Sequence, residues 1–103
     1  MPKISIIIPT YNESQHLPLL LSDLSNLKEK TEIIIVDCNS VDKTKDIANI
    51  YRTNLYKSPK KNRGMQLNIG AKKAKGEWFI FIHADSRLTR DWLKEVKSVI
   101  RGK

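Results

Sequence analysis

The stretch KISIIIPTYNE, residues 3–13, decides the fold class of this chain. Residues 3–8 form a short apolar run rich in isoleucine, which predicts a strand buried on both faces. Pro9 is expected to end this strand, because proline has no amide hydrogen to donate to a sheet. The polar residues 10–13 predict a loop. A buried strand followed by a polar loop is typical of a parallel α/β sheet, where ligands bind beyond the carboxyl ends of the strands.

The alternation of strand and helix continues along the whole chain. Further strands are predicted at residues 32–37, 53–57 and 77–82. The first helix is expected to begin near Ser14, a good N-cap, and to carry apolar residues at helical spacing: Leu17, Leu20, Leu21 and Leu24. Helical patterns also occupy residues 43–51, residues 63–75, where Gly64 and Gly70 weaken the pattern, and the segment after Thr89.

No hairpin signal separates these elements. Parallel strands joined by helical crossovers are therefore the economical arrangement. We predict a single α/β domain, residues 1–103, built as an open, Rossmann-like parallel sheet of about four β-α units. The polar clusters at residues 10–13, 37–42 and 83–87 would then lie at one edge of the sheet.

Composition and charge exclude several classes of protein. The chain has 103 residues, of which 40% are hydrophobic and 29% charged, an ordinary mixture for one globular domain. The single cysteine, Cys38, excludes an intrachain disulfide framework and fits a reducing compartment, so we predict a cytoplasmic location, with the inner face of the membrane as a further place. No apolar run approaches the roughly 20 residues that span a bilayer.

The net charge of +8, from 19 Lys and Arg against 11 Asp and Glu, suits an anionic partner such as a nucleotide, a nucleic acid or an acidic membrane surface. Nucleic acid is the weaker expectation, because the sequence has no helix-turn-helix pattern and no aromatic-rich RNA-binding platform. A response-regulator-like domain is weaker still, since it would need an acidic cluster after the first strand, where Glu13 is a poor substitute.

Four blocks of sequence resemble family 2 glycosyltransferases, in order and in spacing. They are residues 6–13 (IIIPTYNE), 34–44 (IIVDCNSVDKT), 63–71 (RGMQLNIGA) and 79–86 (FIFIHADS). The resemblance covers nearly the whole chain. It implies the A-type glycosyltransferase fold and a nucleotide-diphosphate sugar as ligand, most often a UDP-sugar.

The resemblance also implies which residues bind the nucleotide: Pro9, Tyr11, Glu13, Asp37, Arg63 and Asp85. The ring of Tyr11 could stack on a base or simply pack on its own domain. The carboxylate of Asp37 could accept the imide hydrogen of a uracil, or it could cap a turn. The guanidinium of Arg63 suits a diphosphate, whereas the lysines around it are typical of a solvated loop.

A divalent cation, Mn²⁺ or Mg²⁺, is expected at Asp85. In the family, an Asp-x-Asp motif after a strand holds a cation that bridges the diphosphate, and a hard cation prefers such oxygen ligands. This chain has His83 at the first acidic position. His83 could ligate the cation, which would favour Mn²⁺, contact the ribose or diphosphate, or order the loop.

The family's acceptor-binding half, with its catalytic base, has no counterpart in these residues, because Glu13, Asp91 and Glu95 do not match the place of that base. Two functions therefore stay open: transfer of a hexosyl group from the nucleotide to an unknown acceptor, and nucleotide-diphosphate binding without turnover, perhaps beside a partner chain. Apolar surface left exposed at the sheet edge also predicts a homo-oligomer.

Overall fold

The structure, a computed structural model, describes residues 3–25 and 31–101. Four strands and four helices alternate along these residues. The strands are β1 (Ile4–Thr10), β2 (Thr31–Asp37), β3 (Asn54–Lys57) and β4 (Trp78–Phe81), and the helices are α1 (Leu17–Ser25), α2 (Thr44–Ile50), α3 (Arg63–Lys73) and α4 (Trp92–Arg101).

All strand pairs are parallel, and the strand order is β3-β2-β1-β4. The chain moves outward from β1 to β3 and then returns through α3 to place β4 on the other side of β1. The order therefore reverses between β1 and β4, and a crevice opens there beyond the carboxyl ends of the strands. The predicted open, Rossmann-like parallel sheet is confirmed.

The sheet separates two apolar cores. Alternate side chains of β1 point to opposite faces, so Ile6 and Ile8 pack with the leucines of α1, while Ile7 packs with β2 and α3. The four leucines predicted for the first helix are all buried. Each fully buried side chain of this size contributes about 1.5–3 kcal/mol to folding.

The close packing of α3 on the sheet requires a glycine at position 70. A Cβ atom at this position would lie 2.5 Å from Cγ2 of Ile7 and 3.3 Å from Cγ2 of Val36. Both of these side chains are fully buried, so neither has room to move. The glycine lowers helix propensity, but it lets α3 approach the sheet closely.

The prediction that Pro9 ends the first strand is wrong, because β1 continues through Pro9 and Thr10. Residues two apart in a strand face the same neighbour, and the carbonyl of Ile7 accepts a hydrogen bond from the amide of Ile82 on the β4 side (3.1 Å). The Pro9 nitrogen therefore faces the side on which β4 has ended. Its missing hydrogen removes no bond from the sheet.

The strand predicted at residues 77–82 is shorter than expected and lies at the edge of the sheet. Phe79 and Phe81 of β4 are 43% and 52% exposed, because α3 packs mainly on β1 and β2. Over the described residues, the helices are all too short or too polar to cross a lipid bilayer.

Candidate functional site

Two open cavities lie side by side at the carboxyl ends of the strands. One, of about 330 Å³, is lined by Pro9, Glu13, Arg63 and the loop 83–85. The other, of about 340 Å³, shares the first three of these residues and adds a different set: Thr10, Tyr11, Lys61 and Gln66. Arg63 thus stands between an acidic compartment, which contains Asp85, and an aromatic compartment, which contains Tyr11.

The acidic compartment concentrates negative charge. Burial raises the pKa of the Glu13 carboxyl above its usual 4.5; His16 opposes this rise, and the nearby Asp85 adds to it. Glu13 and Asp85 therefore repel each other across the cavity. A bound cation would relieve that repulsion, and Arg63 supplies part of the compensating charge.

The donor set of this compartment suits a cation only when a ligand helps to hold it. Among residues 3–25 and 31–101, no three His, Cys, Asp or Glu side chains are grouped so as to hold a metal by themselves. Asp85 and His83 line the same cavity. A hard divalent cation commonly binds through one or two carboxylates together with substrate phosphates and water, and Asp85 fits that pattern.

The aromatic compartment is formed around Tyr11, which is 40% exposed. The Nζ atom of Lys61 lies 4.4 Å from the centre of the Tyr11 ring, a cation-π distance. Lys61 also belongs to the cavity that Arg63 lines. From sequence alone, Lys61 is one of the lysines around Arg63 that are typical of a solvated loop, because loop lysines carry no signal of a tertiary contact.

Arg63 is the first residue of α3, and two side chains fix the start of this helix. The Oδ1 atom of Asn62 accepts a hydrogen bond from the amide of Met65 (2.9 Å), which makes Asn62 the N-cap. One turn later, Nε2 of the buried Gln66 donates to the carbonyls of Thr10 (3.1 Å) and Val36 (2.9 Å). Gln66 therefore ties the helix that carries Arg63 to the ends of β1 and β2.

The loop after β1 is held by the loop after β2. The amide of Asn12 donates to Oγ of Ser40 (2.8 Å), and the amide of Glu13 donates to Oγ1 of Thr44 (2.8 Å). Asn12 and Asn39 both adopt φ of 52°, a left-handed conformation that asparagine tolerates better than most residues. These contacts set the positions of Tyr11 and Glu13 from both sides.

Asp42 anchors the same pair of loops. Its carboxylate accepts hydrogen bonds from the amide of Ser14 (3.1 Å) and from the amide (2.9 Å) and hydroxyl of Thr44. Burial raises the pKa of Asp42, but these hydrogen bonds outweigh it and lower the pKa from 3.8 to about 2. Asp42 therefore stabilises the turn that leads into α2, whose N-cap position is Lys43.

Asp37 is placed differently from the other predicted nucleotide-binding residues. It is fully buried, and its carboxylate accepts hydrogen bonds from Oγ1 of Thr10 (2.7 Å), the amide of Ser40 (2.9 Å) and the Ser40 hydroxyl. The described residues that line the two cavities do not include Asp37. Its carboxylate supports the loop that follows β2, and its contact with a nucleotide stays a prediction.

A model of one protein family matches most of the chain. Glycosyl transferase family 2 is matched over residues 5–101. The chain belongs to glycosyl transferase family 2.

Curated relatives in this family are considerably longer than the chain. The poly(ribitol-phosphate) beta-N-acetylglucosaminyltransferase TarS of Staphylococcus aureus is 30% identical over 109 residues, which span 97% of this chain and 19% of TarS. A glucuronosyltransferase of Methanococcus voltae, named for a dolichyl N-acetyl-alpha-D-glucosaminyl phosphate acceptor, is 36% identical over 101 residues, 88% of this chain and 32% of the relative. The chain therefore spans a third or less of either relative.

Solved structures agree with the family assignment and confirm the predicted A-type glycosyltransferase fold. The crystal structure of TarS 1–349 aligns with a TM-score of 0.88 at 28% identity, over 97% of this chain and 32% of that one. The same TarS region with UDP-GlcNAc bound aligns with a TM-score of 0.79 at 29% identity, over 97% and 31%. Glucosyl-3-phosphoglycerate synthase of Mycobacterium tuberculosis, in complex with Mn²⁺ and UDP, shares the fold at 19% identity and a TM-score of 0.74, over 84% and 36%.

Proposed function

We propose that this family 2 chain binds a UDP-sugar across the two cavities, with a divalent cation, for transfer of its glycosyl group to an acceptor. One observation carries the proposal: Arg63 lies between an aromatic compartment and an acidic one, and lines both. A nucleotide-diphosphate sugar has the same order of chemical groups, from a flat base through a diphosphate to a sugar.

The nucleoside belongs in the aromatic compartment. Tyr11 presents an exposed ring at the carboxyl end of β1, where a base can stack on it, and Pro9 forms the neighbouring wall. The structures of TarS with UDP and UDP-GlcNAc support uracil as the base. Asp37 supports this compartment indirectly, by bonding Thr10 and Ser40.

The diphosphate belongs beside Arg63. A guanidinium pairs two phosphate oxygens at once, and the adjoining amino terminus of α3 favours negative charge. Asp85 would hold the cation from the other side, with His83 and Glu13 beside it. Such a cation would neutralise charge that develops on the departing diphosphate.

Binding without turnover is the second candidate. The composition of the acidic compartment favours it. Glu13 and Asp85 are the carboxylates that line this compartment, and both would balance the charge of Arg63 or a cation instead of acting as the catalytic base. Incubation with UDP-GlcNAc and Mn²⁺ distinguishes the two candidates: release of UDP indicates turnover, while saturable binding without release indicates a binding module.

Titration calorimetry with UDP in Mn²⁺ and in EDTA tests the nucleotide proposal directly. We expect Mn²⁺ to strengthen UDP binding at least tenfold, and Asp85→Asn to remove that gain. Asp91→Asn is the matched control, since Asp91 is exposed and lies outside both cavities. If Asp85→Asn and Asp91→Asn bind UDP equally well in Mn²⁺, the role of Asp85 is refuted.

A further inference from the structure

Lys61 lies over one face of the ring on which the proposed base would stack. Its Nζ atom lies 4.4 Å from the centre of the Tyr11 ring, and both residues line the aromatic compartment. A base stacked on that face and the Lys61 ammonium cannot be in the same place. Binding of the base on that face therefore requires Lys61 to move.

A bound phosphate would offer the Lys61 ammonium a stronger partner than the Tyr11 ring. Within the described part of the chain, no carboxylate is within salt-bridge distance of the Lys61 ammonium, which lies over the Tyr11 ring instead. An exposed cation-π contact is weak, whereas a hydrogen bond from an ammonium to a phosphate is charge-assisted and stronger. Arg63 lines the same cavity, so a phosphate held by Arg63 would lie in a cavity that the flexible side chain of Lys61 also lines.

We propose that Lys61 is a specificity-determining residue: it blocks the stacking face of Tyr11 against bases without phosphate, and moves to the phosphates of a nucleoside diphosphate when one binds. This inference rests on the proposed function, because it assumes that the base stacks on Tyr11. Lys61 therefore weakens the binding of a nucleoside and strengthens the binding of a nucleoside diphosphate. A lysine that is merely solvated would do neither.

The experiment compares uridine with UDP on Lys61→Met, which keeps the length of the side chain and removes its charge. Lys60→Met is the matched control, because it removes the same charge from the next position of the same exposed loop. Uridine binding is followed by NMR titration into the millimolar range and UDP binding by calorimetry, both with Mn²⁺ present.

We expect Lys61→Met to weaken UDP binding about tenfold, through loss of a charge-assisted contact. The same substitution should tighten uridine binding about two- to fivefold, through removal of the competing cation. Opposite changes for the two ligands support the proposal. The tightening should disappear when Tyr11 is replaced in the same chain, as in Tyr11→Leu with Lys61→Met, because no ring then remains for the base to occupy.

The remaining outcomes overturn the inference, and they separate it from the proposed function. If wild-type protein binds UDP but Lys61→Met behaves like Lys60→Met, or if both ligands weaken together, the inference fails and the nucleotide site stands. If uridine leaves the spectra of all the proteins unchanged, Lys61 blocks no stacking face and the inference fails. If wild-type protein binds no UDP, the proposed function fails and the inference fails with it.

Discussion

Arg87 and Asp23 form a two-point ion pair that joins the loop after β4 to helix α1. Nε of Arg87 lies 2.9 Å from Oδ2 of Asp23, and its second guanidinium contact to Oδ1 is 3.2 Å long. The amide of Leu88 donates to the same carboxylate (3.0 Å). Since Asp85 lies only two residues before Arg87, this pair fixes the loop that carries the predicted metal ligand.

We therefore expect Asp23→Asn to weaken Mn²⁺-dependent UDP binding several-fold while changing the melting temperature little. Arg87 is 61% exposed, so the contribution of the pair to folding is small, but loss of the two-point contact frees the Asp85 loop. Calorimetry and a thermal melt measure the two quantities. Asp46→Asn, an exposed change on α2, is the control; a large loss of melting temperature in Asp23→Asn would show that the pair serves folding instead.

Protonation of Asp42 should make the protein less stable in acid. A carboxyl whose pKa is lowered on folding stabilises the folded state above the unfolded value of 3.8, and that contribution disappears as the pH falls through about 2. We expect the free energy of unfolding to lose about 1 kcal/mol from this group over that range, because partial exposure screens the effect.

Urea unfolding at several pH values between about 5 and 2 measures this contribution. Asp42→Asn should be less stable than wild type at the upper end of that range and should lose less stability toward the lower end. Identical slopes of stability against pH in the two proteins would contradict the assigned role of Asp42.

Gly70→Ala should destabilise the fold by about 1–3 kcal/mol, although alanine is the better helix former. The new methyl group would lie 2.5 Å from Cγ2 of the buried Ile7. Gly64→Ala is the matched control on the same helix, where the nearest contact is the Asn62 side chain at 3.3 Å. Chemical denaturation should rank Gly70→Ala well below Gly64→Ala; equal stabilities would show that α3 does not press on the sheet as described.

Gln66→Met should reduce both stability and UDP affinity. The change leaves the Val36 carbonyl without its bond from Nε2, a loss of about 1–3 kcal/mol, and releases the first turn of α3 from the sheet. UDP affinity should fall several-fold because Arg63 lies on that turn. Asn68→Ala, an exposed change on the same helix, should leave UDP affinity unaltered, and calorimetry that finds the two variants alike would argue against a positioning role for Gln66.

The exposed edge of the sheet predicts self-association. Among the described strands, β4 has one sheet neighbour, and Phe79 and Phe81 are 43% and 52% exposed along it. We expect size-exclusion chromatography with light scattering to show a species larger than a monomer, and Phe79→Ser with Phe81→Ser to reduce it. Ile50→Ser, at a 73% exposed position on α2, is the control; a clean wild-type monomer at tens of micromolar would end this prediction.

The alternation of strands and helices and the family could both be predicted from the sequence, because both depend on local pattern. Short isoleucine runs predict strands, the helical spacing of leucines predicts helices and polar clusters predict loops. Each of these predictions needs only a few neighbouring residues. Each of the four motif blocks likewise consists of consecutive residues. The same local logic failed at Pro9, since whether a missing amide matters depends on which neighbour it faces.

The tertiary structure decided which polar residues share a cavity. Arg63, Glu13 and Asp85 come together only because the strand order reverses between β1 and β4, and Asp37 is turned into a buried network by Thr10 and Ser40. The contact of Lys61 with Tyr11 spans 50 positions of sequence and has no periodic signal. Periodicity reports which face of an element is apolar, whereas a binding site depends on distances between elements, and those are set by packing.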